Sequence, residues 1–585
     1  MGRLEDSIAE LSTNTEQWEA FSAEGNCVVQ APPGSGKTKL LAARIAYDLK
    51  HRITAPRGAA CITLTNAAAE ELTERVLSLG VGWSSTLFLG TVHSFALNRI
   101  LLPFKSATGV LPIGGIKIAT KQQISDAMRT AMAVWPAGLD DRLVGATVRR
   151  MRRLMPTQEE WTGVGPNIRA VADAFDRALR GMGVIDFDGV IAESVGLVET
   201  FPSIRRSLVA RYHGLYVDEY QDLAPGLHRL VEALCFGEER RSSLFAVGDP
   251  DQAIFGWTGT RPELLKELSE RTGVTPVDLR TNYRSGSQII DIAGLAIGSG
   301  RQVVGTRPGG EVQAHRCPRG FLEQSDWAVR RVRTLEDQAV PLEEIAIVVP
   351  ANDDVATVAA SLTTAGVPFY VRKTEYPETR TTRLVAAAAA WVASPADSGI
   401  SLGEILRSWR ALLGTRVARS QDVALVRTLR ELRQDSKARV VALIDGFLLA
   451  GLGEALADAS KAEERNAVSE MRSYFSSATA HAGEIVTLGQ RLKPLGRVEV
   501  LTIPSCKGLE FDYVIALGLD QEKFPFFASL RDPEKLAEER RKFYVVLTRA
   551  RSHVDLLYSG FVMWKRSFRP NYAGPSMFLR EIGLA

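Results

Sequence analysis

The sequence predicts an α/β protein in which parallel sheets are flanked by helices, and three observations predict it. An apolar strand-like run, Cys27-Val28-Val29, leads into a glycine-rich turn at residues 31–38, Ala-Pro-Pro-Gly-Ser-Gly-Lys-Thr, and then into a helical stretch over residues 37–49. A second apolar run, Leu215-Tyr216-Val217, ends on the acidic pair Asp218-Glu219. Further runs of strand character stand at residues 60–64, 244–247, 312–315, 345–349, 498–502 and 513–516.

A strand, a glycine-rich turn and a helix start make backbone N–H groups converge on an anion. Gly34 and Gly36, on either side of Ser35, let the backbone approach phosphates closely. Lys37 can reach the β/γ oxygens, and the Thr38 hydroxyl can ligate Mg²⁺. Ala31 stands where the strict pattern has Gly, so the match departs by one residue. At the second strand end, Asp218 is placed to hold the metal and Glu219 to orient the attacking water. Either half alone also reads as an ordinary surface turn. In this order, on two strand ends, they point to ATP hydrolysis.

Composition bounds the rest. A chain of 585 residues exceeds what one core holds, so several domains are expected. Charged residues make up 24% and hydrophobic ones 45%, an ordinary globular mixture. Net charge is +3, so a nucleic-acid surface has to be a local groove rather than a global field. The five cysteines (27, 61, 235, 317 and 506) have neither metal spacing nor a disulfide framework, which suits a reducing cytoplasm. The N-terminus carries Glu5, Asp6, Glu10 and Glu16, unlike a signal peptide. The longest apolar run, residues 384–393, is too short to span a bilayer, so a cytoplasmic protein without membrane contact is expected.

More blocks surround the two sites. Gln17 lies one helix before the phosphate loop. Residues 62–70 read Ile-Thr-Leu-Thr-Asn-Ala-Ala-Ala-Glu, and residues 90–95 Gly-Thr-Val-His-Ser-Phe. Residues 245–257 read Phe-Ala-Val-Gly-Asp-Pro-Asp-Gln-Ala-Ile-Phe-Gly-Trp, and residues 279–285 Leu-Arg-Thr-Asn-Tyr-Arg-Ser. Residues 502–511 read Thr-Ile-Pro-Ser-Cys-Lys-Gly-Leu-Glu-Phe, and residues 538–551 Glu-Glu-Arg-Arg-Lys-Phe-Tyr-Val-Val-Leu-Thr-Arg-Ala-Arg. This ordered array resembles superfamily 1A DNA helicases of the UvrD/Rep/PcrA type over nearly the whole chain.

The resemblance implies two RecA-like P-loop motor domains, each with a mainly helical inserted subdomain. The first motor domain is expected at residues 1–102 and 195–275 with an insertion at 103–194, and the second at 276–374 and 494–585 with a short insertion at 375–493. It implies that Arg284 and Arg549 are arginine fingers from the second motor domain, a task suited to the planar guanidinium fork. A surface salt bridge is the alternative for either arginine alone. By the same resemblance Gln252 senses the γ-phosphate, Gln17 reads adenine, Tyr283 stacks on the base with Lys39 opposite, and Glu510 reaches the ribose. Phe255 and Trp257 would stack bases from an alternating extended segment. Thr65, Asn66, His93 and Ser94 would contact phosphates, positioning the strand without reading its sequence. The arginines of the first insertion (149, 150, 152 and 153) read as a solvated face or as an accessory surface beside a duplex.

Four positions depart from the family's usual pattern. Leu64 replaces an aromatic, Ala67 a Lys, Thr258 an Arg and Pro504 a His. Leu64, Ala67 and Pro504 fall on the expected DNA track, and losing a stacked aromatic or a cation there costs about 1–3 kcal/mol each if nothing compensates. Residues 550–585 are too few for a nuclease domain, so none is expected after the last block. Two readings follow. One is an ATP-driven translocase and helicase moving 3′ to 5′ on single-stranded or tailed DNA. The other is a nucleic-acid-sensing ATPase subunit that regulates a separate nuclease or repair protein, loosely resembling the helicase-like subunits of anti-phage systems such as Gabija.

Overall fold

The computed structural model describes residues 3–82, 86–105, 116–133, 141–164, 166–237, 241–371, 376–395, 398–414, 418–435, 437–478, 483–492, 495–563 and 569–585. Its centre is a pair of six-stranded parallel sheets. The first contains β1 (Asn26–Gln30), β2 (Gly58–Thr63), β3 (Leu87–Thr91), β4 (Tyr212–Val217), β5 (Ser243–Gly248) and β6 (Val274–Asp278), in the spatial order β3-β2-β4-β5-β1-β6. Then β7 (Thr281–Gly286) and β8 (Val304–Arg307) form a small parallel pair joined by the helix Ser287–Ile297. The second large sheet contains β9 (Glu311–Arg316), β10 (Ile345–Val349), β11 (Phe369–Val371), β12 (Val498–Thr502), β13 (Phe511–Ala516) and β14 (Ala550–Tyr558), ordered β11-β12-β10-β13-β14-β9. This is the α/β architecture of two RecA-like domains.

The central strands read as near-continuous apolar runs because helices cover both faces of each sheet, whereas the edge strands β6 and β9 are partly exposed. β2, β3 and β10 are buried along their whole length. Each fully buried Val, Leu or Ile side chain in such a layer contributes about 1.5–3 kcal/mol. One face of the first sheet packs on the helix Lys37–His51 through Leu40, Leu41 and Ile45, and the other packs on the helix Pro225–Cys235 through Leu227, Leu230 and Val231.

The two insertions have cores of their own. The first is helical, centred on Val148, Val171 and Phe175. The second is helical around Trp409, Leu429, Phe447 and Phe475, and its helix Arg380–Ala393 contains the long apolar run.

The expected domain boundaries shift in detail. β6 pairs with β1, so a division at 275/276 cuts a strand of the first sheet. The helix Phe187–Thr200 runs through the 194/195 division, and its Val195, Leu197 and Val198 join the first sheet's core. The 374/375 and 493/494 divisions touch residues outside those described. The arginine run of the first insertion is also not one solvated face. Arg149 and Arg150 are exposed, whereas Arg152 forms a two-pronged bond to Asp186 at 2.6 and 2.8 Å and Arg153 pairs with Asp188 at 3.0 Å.

Candidate functional site

The strand order explains how residues far apart in the chain meet. β4, β5 and β1 are neighbours, so the segments leaving their carboxyl ends lie side by side, where ligands sit in open parallel sheets. The phosphate loop leaves β1, Asp218-Glu219 leaves β4, and Asp249 to Trp257 leave β5. Facing them are segments that enter the second sheet. Lys507 and Glu510 precede β13, and Arg549 immediately precedes β14.

The phosphate loop has the required backbone. Gly34 and Gly36 sit at φ 68° and 81°, in the left-handed region that costs glycine nothing. Ala31 is buried and its N–H donates to the Gly248 carbonyl at 2.8 Å, so a methyl group is accommodated where the strict pattern has Gly. The Ser35 hydroxyl donates to the Pro32 carbonyl at 2.7 Å and braces the turn. Half-buried Lys37 and Thr38 open the following helix.

Lys37 forms an ion pair with Glu219. Burial alone would pull its ammonium down, but Glu219, Asp218 and Asp249 together hold it above the ordinary lysine value. Burial, and then the charge of Glu219, push the Asp218 carboxyl up. Glu219 carries a left-handed backbone (φ 51°), unusual for a residue with a side chain and of the kind concentrated at functional sites. Gln221 clamps it. Its amide donates to Glu219 Oε2 at 2.5 Å, and its own Oε1 accepts from the Asp249 N–H at 2.8 Å.

Among the described residues no cluster of three or more His, Cys, Asp or Glu side chains could hold a metal. The donors are instead a hydroxyl at a helix start and a buried carboxylate that burial disfavours as an anion. That is the sparse oxygen set with which Mg²⁺ binds through one or two protein groups and substrate phosphates, so the residues fit the ion.

The second half closes over this edge. Asn282 donates to the Pro33 carbonyl at 2.6 Å, and the Tyr283 N–H donates to the Gly34 carbonyl at 2.9 Å. A methyl group on Gly34 would come within 2.6 Å of Arg284 Cβ. Arg284 bonds Glu510 at 2.6 Å, and burial followed by the neighbouring Arg549 charge lowers its guanidinium to about 10. Arg549 is 2% exposed, and its Nη2 donates to Gln252 Oε1 at 3.0 Å. Lys507 Nζ donates to Asp222 and to the Gln252 carbonyl, each at 2.5 Å, and lies 5.3 Å from the Phe255 ring centre.

The residues expected on the base side gather as well. Gln17 Nε2 donates to the Ser35 carbonyl at 2.8 Å. Tyr283, 44% exposed, accepts at its hydroxyl from Asn14 at 2.9 Å. Lys39 pairs with Glu10, and Glu510 with Arg284.

Along the expected strand track the outcome is mixed. Trp257 is 65% exposed, so it is not part of a core. Phe255 is half-buried against the second sheet's core, and Gly256–Thr258 is a 3-10 turn. The expected alternating extended segment is therefore absent. The Thr258 N–H and hydroxyl both bond back to the Phe255 carbonyl, at 2.8 and 2.7 Å, which tightens the turn and separates the two rings.

Below the turn lies an apolar cavity of about 440 Å³ lined by Leu64, Val92, His93, Phe187, Phe255 and Trp257 among others. His93 packs edge-on against Phe187, and burial, then the nearby Arg153, lower its imidazole to about 4. Thr65 caps the helix Asn66–Ser78, accepting from the Ala68 N–H at 3.2 Å. Ser94 accepts from Asn98 at 3.3 Å. Asn66 donates to the Glu378 carbonyl at 3.1 Å and approaches Glu463 at 3.4 Å, both on the second insertion.

Sequence reasoning passed over Gln221, Asn282, Lys507 and Arg301. Asn282 and Lys507 lie inside the quoted blocks and Gln221 two residues after Glu219, where position alone was the available signal. Arg301 lies in none of them.

A phosphate loop beside an acidic strand end, closed by Arg284 on β7 and by Arg549 immediately before β14, defines a P-loop ATP hydrolase with two RecA-like domains. Residues 13–272 match the UvrD/REP helicase N-terminal domain, and residues 449–559 match the UvrD-like helicase C-terminal domain. The chain belongs to the UvrD/REP helicase family. It is 25% identical to DNA helicase II of Escherichia coli K12, covering 98% of this chain and 87% of that protein. The figures for DNA helicase II of Salmonella typhimurium LT2 are the same. ATP-dependent DNA helicase PcrA of Staphylococcus aureus is 24% identical, covering 97% of this chain and 86% of that protein.

Proposed function

We propose that the protein is an ATP-dependent DNA translocase and helicase that moves 3′ to 5′ on single-stranded DNA. The observation that carries this reading is the segment Asp249 to Trp257. Gln252 at its start bonds Arg549 across the two halves, and Trp257 at its end stands exposed over an apolar cavity. One short loop thus joins a group that detects nucleotide closure to a ring on which a base can stack. The names of the relatives, DNA helicase II and ATP-dependent DNA helicase PcrA, support a DNA substrate. The direction of movement rests on family resemblance.

In the mechanism, Lys37 exchanges Glu219 for the β/γ oxygens of ATP. Freed from Lys37 but still held by Gln221, Glu219 orients water for attack. Thr38 and Asp218 would hold Mg²⁺, which when bound adds positive charge at the phosphate oxygens. Arg549 leaves Gln252, and Arg284 leaves Glu510, to meet charge developing on the transferred phosphoryl group. Single-stranded DNA across both halves favours this closed arrangement, so it raises turnover by positioning.

A strand-displacement assay on the isolated protein tests the reading, using duplexes with 3′ or 5′ tails. Unwinding of the 3′-tailed duplex alone is the expected result. The second reading, an ATPase subunit that regulates a separate nuclease, is favoured by one observation. Asn66, a strand-contact candidate, is engaged by the second insertion, and Arg383 of that insertion pairs with Glu70 on the same helix. ATP hydrolysis stimulated by single strands without any displacement would favour it.

A further inference from the structure

We infer that Arg301 is a positioning residue for ATP hydrolysis, holding the sensor Gln252 in one orientation through Asp249. This inference rests on the ATPase reading above. Arg301 follows the helix Ser287–Ile297, whose Ile289, Ala293 and Ala296 pack in the second sheet's core, so it belongs to the second half of the molecule. Its Nη1 crosses to the first half and donates to Asp249 Oδ1 at 2.6 Å and to Asp251 Oδ2 at 3.1 Å. Ser299, two residues earlier, adds a bond to Asp251 Oδ2 at 3.1 Å.

Asp249 is wholly buried, and its second oxygen accepts from Gln252 Nε2 at 2.7 Å. That bond decides which way the Gln252 amide points. With its NH₂ committed to Asp249, only its carbonyl oxygen can face Arg549, and it accepts from Arg549 Nη2 at 3.0 Å. A flipped amide would set an NH₂ group against the guanidinium, two donors with no acceptor between them.

The four groups form one chain across the cleft: Arg301, Asp249, Gln252, Arg549. Its two ends belong to the second half and its middle to the first. Asp249 also lies close enough to Lys37 to help hold its charge. Left without Arg301, this buried carboxylate would keep only neutral donors on its two oxygens, the Asp251 N–H at 3.2 Å and the Gln252 amide, a costly arrangement. Arg301 therefore neutralises Asp249 and orients the sensor at the same time. A lysine could supply the charge, but it lacks the guanidinium's planar geometry.

The test uses the full chain with saturating oligo-deoxythymidine. Phosphate release is followed in single turnovers so that slow variants stay measurable. Arg301→Ala should lower the rate roughly tenfold or more while the ATP KM stays within about threefold, the mark of an interaction made in the transition state. Arg301→Lys should be intermediate in rate with a melting temperature close to wild type, which keeps the test valid if the Ala variant folds poorly. Gln252→Ala combined with Arg301→Ala should be no slower than Gln252→Ala alone, because both lie on one path. A double variant slowed by the product of the two single effects, or a folded Arg301→Lys protein at the wild-type rate, would overturn the inference. If the wild-type chain hydrolysed no ATP in the presence of the strand, the parent reading would fail, and this one with it.

Discussion

Gln252 and Arg549 hold one another across the cleft between the two sheets, Oε1 accepting from Nη2 at 3.0 Å. Arg549 is almost entirely enclosed, with further bonds to the carbonyls of Val545 at 3.2 Å and Leu509 at 3.3 Å. The guanidinium is thus held beside the phosphate edge, with the neighbouring Thr548 hydroxyl at 3.3 Å and, from the opposite half, the side chain of the proposed sensor. Arg549→Ala should reduce strand-stimulated turnover by about 100-fold or more, in keeping with the cost of losing an arginine finger. ATP affinity, read by titration of a fluorescent nucleotide, should change far less. Wild-type turnover in this variant would remove Arg549 from the site.

Lys37 and Glu219 are paired in this structure, so the two substitutions should differ in kind. Lys37→Ala removes the phosphate contact proposed to act both before and during reaction, and both turnover and ATP affinity should fall. Glu219→Gln keeps the shape of the side chain, and with it a partner for Gln221, but loses the charge proposed to orient water. Turnover should drop by about 100-fold while ATP still binds. Equilibrium binding and steady-state turnover measured on the same preparations check this. Near-normal turnover in Glu219→Gln would show that another residue activates water.

Trp257→Ala should weaken single-strand binding by about 5- to 150-fold, the loss expected for one stacked base. Because the ring is mostly exposed, the melting temperature and ATP affinity should be almost unchanged. Phe255→Ala should behave differently. Its ring packs against the second sheet's core and lies near Lys507, so stability and strand affinity should fall together. Fluorescence anisotropy with a labelled oligonucleotide, run beside thermal melts, separates the two. Unchanged strand affinity in a folded Trp257→Ala protein would exclude the stacking role.

His93 gives a pH dependence whose sign is set by burial. Its folded-state value lies near 4, below the ordinary histidine value, so between those limits the unfolded chain binds the extra proton. The contribution of His93 is present above about pH 6.5, the unperturbed value, and is lost as pH falls toward about 4. His93→Gln should flatten the acid limb of a melting-temperature profile over that window relative to wild type. An identical acid limb in both proteins would show that the imidazole is not enclosed in solution.

The phosphate loop was legible from eight consecutive residues because its geometry is local: a strand, two left-handed glycines and a helix start need nothing from elsewhere in the chain. The acidic strand end and the family blocks were legible for the same reason, and they implied two parallel sheets with their nucleotide edges apposed. Tertiary structure decided what depends on apposition. Arg301 and Asp249 are 52 residues apart, and Asn282 and Pro33 are 249 apart. No local pattern marks either pair, because each exists only where the carboxyl edge of one sheet meets the other half. The same holds for burial. Phe255 and Trp257 look alike in sequence, yet a 3-10 turn sends one against a core and leaves the other in solvent. The arginine run is alike in charge, but helix phase and the positions of Asp186 and Asp188 put Arg152 and Arg153 into ion pairs and leave Arg149 and Arg150 exposed. Residue type and spacing thus determined which chemistry this chain carries, and packing across the cleft decided which side chains are positioned for it.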